Sequence, residues 1–161
     1  MRLRITRREA AGKNASEHTE AVRLMRTVRM HEGLHPELVW FHHIPNGGKR
    51  HRTVAGKLKA EGVKKGVHDY FLPVPRQGFH GLYIELKSLD GDESADQERF
   101  AEFVRAQGYR AEFVWGWEEA WGVLTDYLGI PNRLLPSGLV AAPARGPSPT
   151  LPRPRAAPKN R

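Results

Sequence analysis

Cysteine is absent from the 161-residue sequence. That excludes a disulfide framework and every thiolate metal site, and it fits a reducing, cytosolic setting. Long apolar runs are missing too. No stretch approaches the roughly 18 residues of a transmembrane helix, and Met1-Arg2-Leu3-Arg4-Ile5 has no apolar segment of the signal-peptide kind. No internal repeat is present. Acidic residues are comparatively few, with 18 Asp and Glu against 26 Lys and Arg for a net charge of +8.

The location of that charge matters more than its sum. Residues 1–13 hold Arg2, Arg4, Arg7, Arg8 and Lys13 against Glu9. Residues 136–161 hold Arg145, Arg153, Arg155, Lys159 and Arg161 with no acid, together with seven of the 12 prolines. The two ends contribute +4 and +5, leaving residues 14–135 at −1. The expected organisation is a disordered basic arm over 1–13, one folded domain over 14–135 and a disordered Pro/Ala/Arg-rich tail over 136–161. The domain is polarised. Residues 46–66 carry Lys49, Arg50, Arg52, Lys57, Lys59, Lys64 and Lys65 against Glu61 alone, while residues 90–126 are mostly acidic. A basic lobe of this kind suits a face presented to phosphates.

Periodicity and capping predict the elements. Ser16 is an N-cap with Glu17 and Glu20 in the first turn, and Ala21, Leu24, Met25 and Val28 follow at helical spacing, giving a helix over 16–31. Leu38-Val39-Trp40-Phe41 reads as a buried first strand, and a short helix is expected from Arg52 to Glu61. Strands follow over 67–72 and 81–87, then a helix over 95–107 opened by a Ser94/Gln97 capping box, a strand over 110–115 and a helix over 118–128. The loop between the second and third strands is too short for a helical crossover, so they are antiparallel. The third and fourth strands flank a helix and are parallel. The result is an α/β fold: a small mixed sheet flanked by helices.

In the third strand Leu82, Ile84 and Leu86 point one way while Tyr83, Glu85 and Lys87 point the other. Asp69 ends up on the neighbouring strand. This set suits phosphodiester hydrolysis. Two carboxylates can hold a hard divalent cation, which polarises the phosphoryl group and lowers the pKa of a bound water. The Lys87 ammonium beside them can orient that water or offset developing charge, and the Leu86 backbone carbonyl is a further oxygen ligand. The Asn46-Gly47-Gly48-Lys49-Arg50 turn lacks the spacing of a nucleotide-binding P-loop and better suits a DNA backbone, reached by Lys49, Arg50 and Arg52. His42, His43, His51 and His68 match no zinc spacing. Trp115 and Trp121 fall on core-facing phases.

Gly66-Val67-His68-Asp69 followed by Ile84-Glu85-Leu86-Lys87 resembles the PD-(D/E)xK nuclease signature. Ile44-Pro45-Asn46-Gly47-Gly48, Leu58-Lys59-Ala60-Glu61-Gly62-Val63 and Ser94-x-x-Gln97 resemble the virus-type replication-repair nuclease (VRR-NUC) branch, from about residue 16 to 128. The resemblance implies a restriction-endonuclease-like αβββαβ core and a Mg2+- or Mn2+-dependent endodeoxyribonuclease. Asp69 and Glu85 would be metal ligands and Lys87 the catalytic lysine. A first-helix glutamate would complete the metal site. Glu17 and Glu20 both qualify, with Glu20 preferred. Gln97 would support the site, and His68 stands where the family usually has proline. Asn46, Gly47, Gly48, Lys49, Arg50, Arg52, Lys59, Lys64 and Lys65 would meet DNA. The implied substrate is branched DNA, either a Holliday junction or a flap, and the implied assembly is a homodimer. The implied setting is the cytoplasm of a bacterium or phage-infected cell, in phage replication or DNA repair. The alternative is a DNA-binding accessory module with weak or no catalysis.

Overall fold

The structure, a computed structural model, describes residues 16–45, 56–58 and 60–134. The basic arm, the tail, the Asn46-Gly47-Gly48 turn with Lys49, Arg50 and Arg52, and Lys59 lie outside the described residues.

Helix α1 (Glu17–His31) opens on Ser16, whose side chain accepts the Thr19 N–H. Glu17 and Glu20 stand in its first turn and Arg29 and His31 in its last, each complementing the helix dipole. A 3-10 helix follows (Pro36–Trp40), then strand β1 (His42–His43), a helical stretch at 56–58 and 60, β2 (Tyr70–Leu72) and β3 (Leu82–Lys87). Helix α2 (Ala95–Ala106), β4 (Arg110–Trp115) and α3 (Trp117–Leu128) complete the described chain. The sheet runs β1-β2-β3-β4. The β2–β3 pairing is antiparallel and β3–β4 is parallel, as expected from their connections, and β1–β2 is antiparallel. This is the mixed α/β sheet that the sequence implies.

Alternation along β3 divides the core in two. Leu82, Ile84 and Leu86 join Leu24 and Val28 of α1 and Trp121, Leu124 and Tyr127 of α3 in one apolar cluster. On the opposite face, Tyr83, Phe100, Tyr109 and Phe113 pack around Ala101, Val104 and Ala111 beneath α2. The chemistry-bearing side chains of β3 therefore emerge on the α2 face.

The first strand differs from the expectation. Leu38-Val39-Trp40-Phe41 is largely 3-10 helix, started by Pro36, with the Phe41 N–H bonded to the Leu38 carbonyl. At three residues per turn only Leu38 and Phe41 point inward. They are 0% and 3% exposed, whereas Val39 and Trp40 are 56% and 59% exposed. The sheet strand is the next two residues, His42 and His43.

Candidate active site

The register of β2 on β3 sets the site. Tyr70 pairs with Ile84, so Asp69, one residue before the strand, stands beside Glu85. The ladder ends there, and the Asp69 carboxylate takes its place: Oδ2 accepts the Leu86 N–H at 3.1 Å. On the other side the Asp69 carbonyl accepts the Ile44 N–H at 2.6 Å, continuing the β1–β2 pairing.

Glu85 is 2% exposed and Lys87 7%. Glu85 Oε1 accepts Lys87 Nζ at 3.0 Å and also Gln97 Nε2. Gln97 Oε1 accepts Lys87 Nζ at 2.8 Å and the Ser94 N–H at 2.9 Å. The capping-box glutamine is thus shared. It closes the first turn of α2 and braces the Glu85–Lys87 pair. Groups that orient a metal or catalytic residue in this way typically carry about 10–100-fold of activity. If the motif resemblance holds for activity, Gln97→Ala is expected to lower DNA cleavage by about that factor, with α2 retained in far-UV circular dichroism.

Burial raises the Asp69 carboxyl above the usual carboxylate range, and repulsion from Glu17 adds to it, while the Leu86 N–H opposes. Glu85 is pushed up to about 7, first by burial and then by Asp69, against the pull of Lys87. Glu85 Oε2 makes no hydrogen bond among the described residues; it lies 3.7 Å from His68 Nδ1. Two neighbouring carboxylates destabilised as anions, one with an unfilled buried oxygen, form a donor set that fits a divalent cation. Among the described residues no three His, Cys, Asp or Glu groups gather as a metal cluster, so any third protein ligand must come from outside this pair.

His68 is fully buried, against Phe100 at 5.3 Å and Phe113 at 4.9 Å between ring centroids. Burial lowers it to about 4, with Arg105 and Lys87 adding to the effect. Its imidazole is therefore neutral packing beneath Glu85. Gly66, two residues earlier, has φ +80°, and a β-carbon there would overlap the Asp96 carbonyl. The close approach sets the His68–Asp69 segment against the start of α2, where Gln97 sits. Lys64 and Lys65 are exposed on the loop leading into Gly66.

The two first-helix glutamates differ in their surroundings. Glu20 is 5% exposed. Its Oε2 accepts the Trp117 N–H at 2.8 Å and its Oε1 accepts Arg23 at 3.2 Å. It caps α3, which begins on Gly116 with no side-chain cap of its own. Glu17 is exposed, and its charge acts on Asp69. Sequence reasoning also passed over His43 except as a zinc ligand. Strand β1 places its exposed imidazole against Tyr70, on the sheet face opposite Glu85 and Lys87.

No family model matches the sequence, and no curated protein matches it. Among solved structures the chain is similar to one named VRR_NUC domain protein, with a TM-score of 0.62 and 25% identity. The resemblance drawn from the motifs is borne out in the fold, for the likeness to that VRR_NUC domain protein covers 76% of this chain and 100% of the other.

Proposed function

We propose that the chain is a metal-dependent DNA endonuclease that hydrolyses phosphodiester bonds and selects branched DNA. The observation that carries the reading is the convergence of Asp69, Glu85 and Lys87 at the end of the β2–β3 ladder, braced by Gln97. The likeness to a VRR_NUC domain protein supports a nuclease-type domain.

Asp69 and Glu85 would hold Mg2+ or Mn2+. The Leu86 carbonyl leaves β3 on the same side as its Asp69-bonded N–H and would add an oxygen. When bound, the ion supplies Lewis acidity and a water of lowered pKa. Lys87 keeps its ammonium in place through Glu85 and Gln97, which take two of its three donors. The third is left for the attacking water or a phosphate oxygen. Exposed Lys64 and Lys65 would contact the DNA backbone.

Neither Glu17 nor Glu20 gathers with Asp69 and Glu85 among the described residues, so a third carboxylate would join only around a bound ion; in this reading it is Glu17, whose charge already acts on Asp69, while Glu20 holds the α3 cap. Glu17→Gln is expected to weaken Mn2+ affinity at least about tenfold while leaving stability within about 0.5 kcal/mol. Glu20→Gln is expected to leave Mn2+ affinity unchanged and to lower stability by about 1 kcal/mol through the α3 cap. Isothermal titration and urea denaturation on the two variants separate the roles.

A Holliday junction has two scissile strands related by a two-fold axis, so a homodimer with two sites suits it. End-labelled four-way junction, flap and linear duplex, each incubated with Mg2+, decide the substrate. Symmetric nicks on the junction alone mark a resolvase, and a single cut at the flap base marks a flap nuclease. Binding without cleavage in either Mg2+ or Mn2+ leaves an accessory DNA-binding module. Among the described residues no helix is long and apolar enough to cross a membrane.

A further inference from the structure

Lys87 is held at its head by Glu85 and Gln97 and at its stem by the turn that follows it. Nζ donates to Glu85 Oε1 at 3.0 Å and to Gln97 Oε1 at 2.8 Å. The stem is a flexible four-carbon chain, so two bonds at its tip do not alone set where the third donor points. The stem is set where β3 ends and the chain turns toward α2.

That turn folds back over the ends of β3 and β4. The Gly91 N–H donates to the Ser88 carbonyl at 2.9 Å. Gly91 sits tight against the strand: a β-carbon there would lie 3.2 Å from Ser88 Oγ and 3.5 Å from Lys87 Cβ. Trp115 holds the turn down. In the parallel register it pairs with Lys87, so the two side chains share a face of the sheet. Its indole N–H donates to the Gly91 carbonyl at 2.9 Å. Trp115 is itself anchored, for its backbone N–H donates to Glu119 Oε2 at 3.0 Å. The next residue, Gly116, donates its N–H to the Lys87 carbonyl at 3.0 Å. Filling this half-buried position needs only an apolar ring; the indole N–H adds the bond to the turn. Residues 88–93 then lead to the Ser94 cap and to Gln97, so one bond secures the connection between Lys87 and its brace.

We propose that Trp115 is a positioning residue for Lys87. Its indole N–H, bonded to the Gly91 carbonyl, pins the turn that packs on the Lys87 stem and keeps the ammonium between Glu85 and Gln97, with the third donor free for the site. Trp115 touches neither metal nor DNA in this assignment. Its effect on cleavage rests on the nuclease reading above; its effect on Lys87 itself does not.

The test uses Trp115→Phe, which keeps a ring and loses the N–H, and Gly91→Ala, which presses the same turn against Lys87 and leaves the indole intact. Thr125→Val is the control, because the buried Thr125 hydroxyl bonds the Trp121 carbonyl within α3, away from the turn. Acetic anhydride labelling of Lys87, read by peptide mass spectrometry, should rise at least about twofold in both turn variants. An ammonium only 7% exposed opens to solvent more often once its brace is loosened. kcat on branched DNA should fall about tenfold or more, with KM and Mn2+ affinity within about twofold of wild type. In the Gln97→Ala background the further loss from Trp115→Phe should be smaller, since both act through one lysine. Thr125→Val should lower the melting temperature and change none of these. Unchanged Lys87 labelling in Trp115→Phe overturns the assignment. So does a fall in Mn2+ affinity, a kcat loss shared by Thr125→Val, or losses that simply multiply in the Gln97→Ala background. An active enzyme whose kcat is indifferent to Trp115→Phe overturns it as well. If wild type cuts no DNA while labelling still rises, the nuclease reading fails and Trp115 keeps its part in placing Lys87.

Discussion

Replacing Glu85 by glutamine is expected to lower DNA cleavage by at least about 10³-fold and, in the absence of metal, to raise the melting temperature above pH 7. Both effects follow from one position. Glu85 is 2% exposed, and burial beside Asp69 disfavours its anion. Glutamine keeps the shape and an acceptor for Lys87 and Gln97, but it removes the charge that a divalent ion needs. The stability effect has a defined pH signature. A carboxyl pushed from its ordinary value of 4.5 up to about 7 by folding binds a proton more readily in the folded chain. Its cost to the fold is therefore full above about pH 7 and is relieved as pH falls to about 4.5. At about 1.4 kcal/mol per unit the upper bound is on the order of 3 kcal/mol. The advantage of Glu85→Gln over wild type should be largest near pH 8 and vanish near pH 4.5. Buried His68 contributes the opposite trend. Its folded value is depressed to about 4, so its share of stability is present above about 6.5 and lost as pH falls through 4. Between about 4.5 and 6.5 the two oppose one another in wild type. Glu85→Gln, left with His68 alone, should lose stability steadily over that window. A variant that keeps its advantage at pH 4.5, or that cuts DNA at the wild-type rate, contradicts the account.

Gly66→Ala carries the second large effect. Its φ of +80° is left-handed, and a β-carbon there meets the backbone of Asp96, with the Asp96 Cβ itself at 2.9 Å. The left-handed conformation costs an ordinary residue about 1 kcal/mol or more. The clash adds to this because backbone at the start of a capped helix cannot swing aside. The expected loss is about 3 kcal/mol or more. Gly62 is the internal control. It too has positive φ, +94°, but nothing lies within 4 Å of its added β-carbon, so Gly62→Ala should cost only about 1 kcal/mol. Urea denaturation of the two variants measures the difference. Equal losses would mean that the contact between the Gly66 loop and α2 is not rigid. In the rigid case cleavage by Gly66→Ala should fall further than stability predicts, because the shift moves Gln97 away from Glu85 and Lys87.

Much of this was legible in the sequence because it is local. Ser16 and the Ser94/Gln97 box mark helix starts by hydrogen bonds within one turn, and both are present. The alternation of Leu82-Tyr83-Ile84-Glu85-Leu86-Lys87 places Glu85 and Lys87 on one face, and loop lengths give the strand directions. The first strand was not legible. Leu38 and Phe41 are apolar in either a strand or a 3-10 turn, and Pro36 decides the matter by starting the turn. The bond that occupies Glu20 comes from Trp117, far along the chain, whose N–H needs an acceptor because Gly116 has no side chain to offer. Periodicity along α1 cannot see that partner.

The most direct measurement is nicking of an end-labelled four-way junction by wild type and Asp69→Asn, with Mn2+ affinity measured on the same preparations. The expected result is Mn2+-dependent nicking by wild type, abolished by a chelator. Asp69→Asn should fold and bind the junction but neither hold Mn2+ nor cut. Equal Mn2+ affinity and equal nicking in the two proteins, or nicking by wild type that survives the chelator, would contradict it.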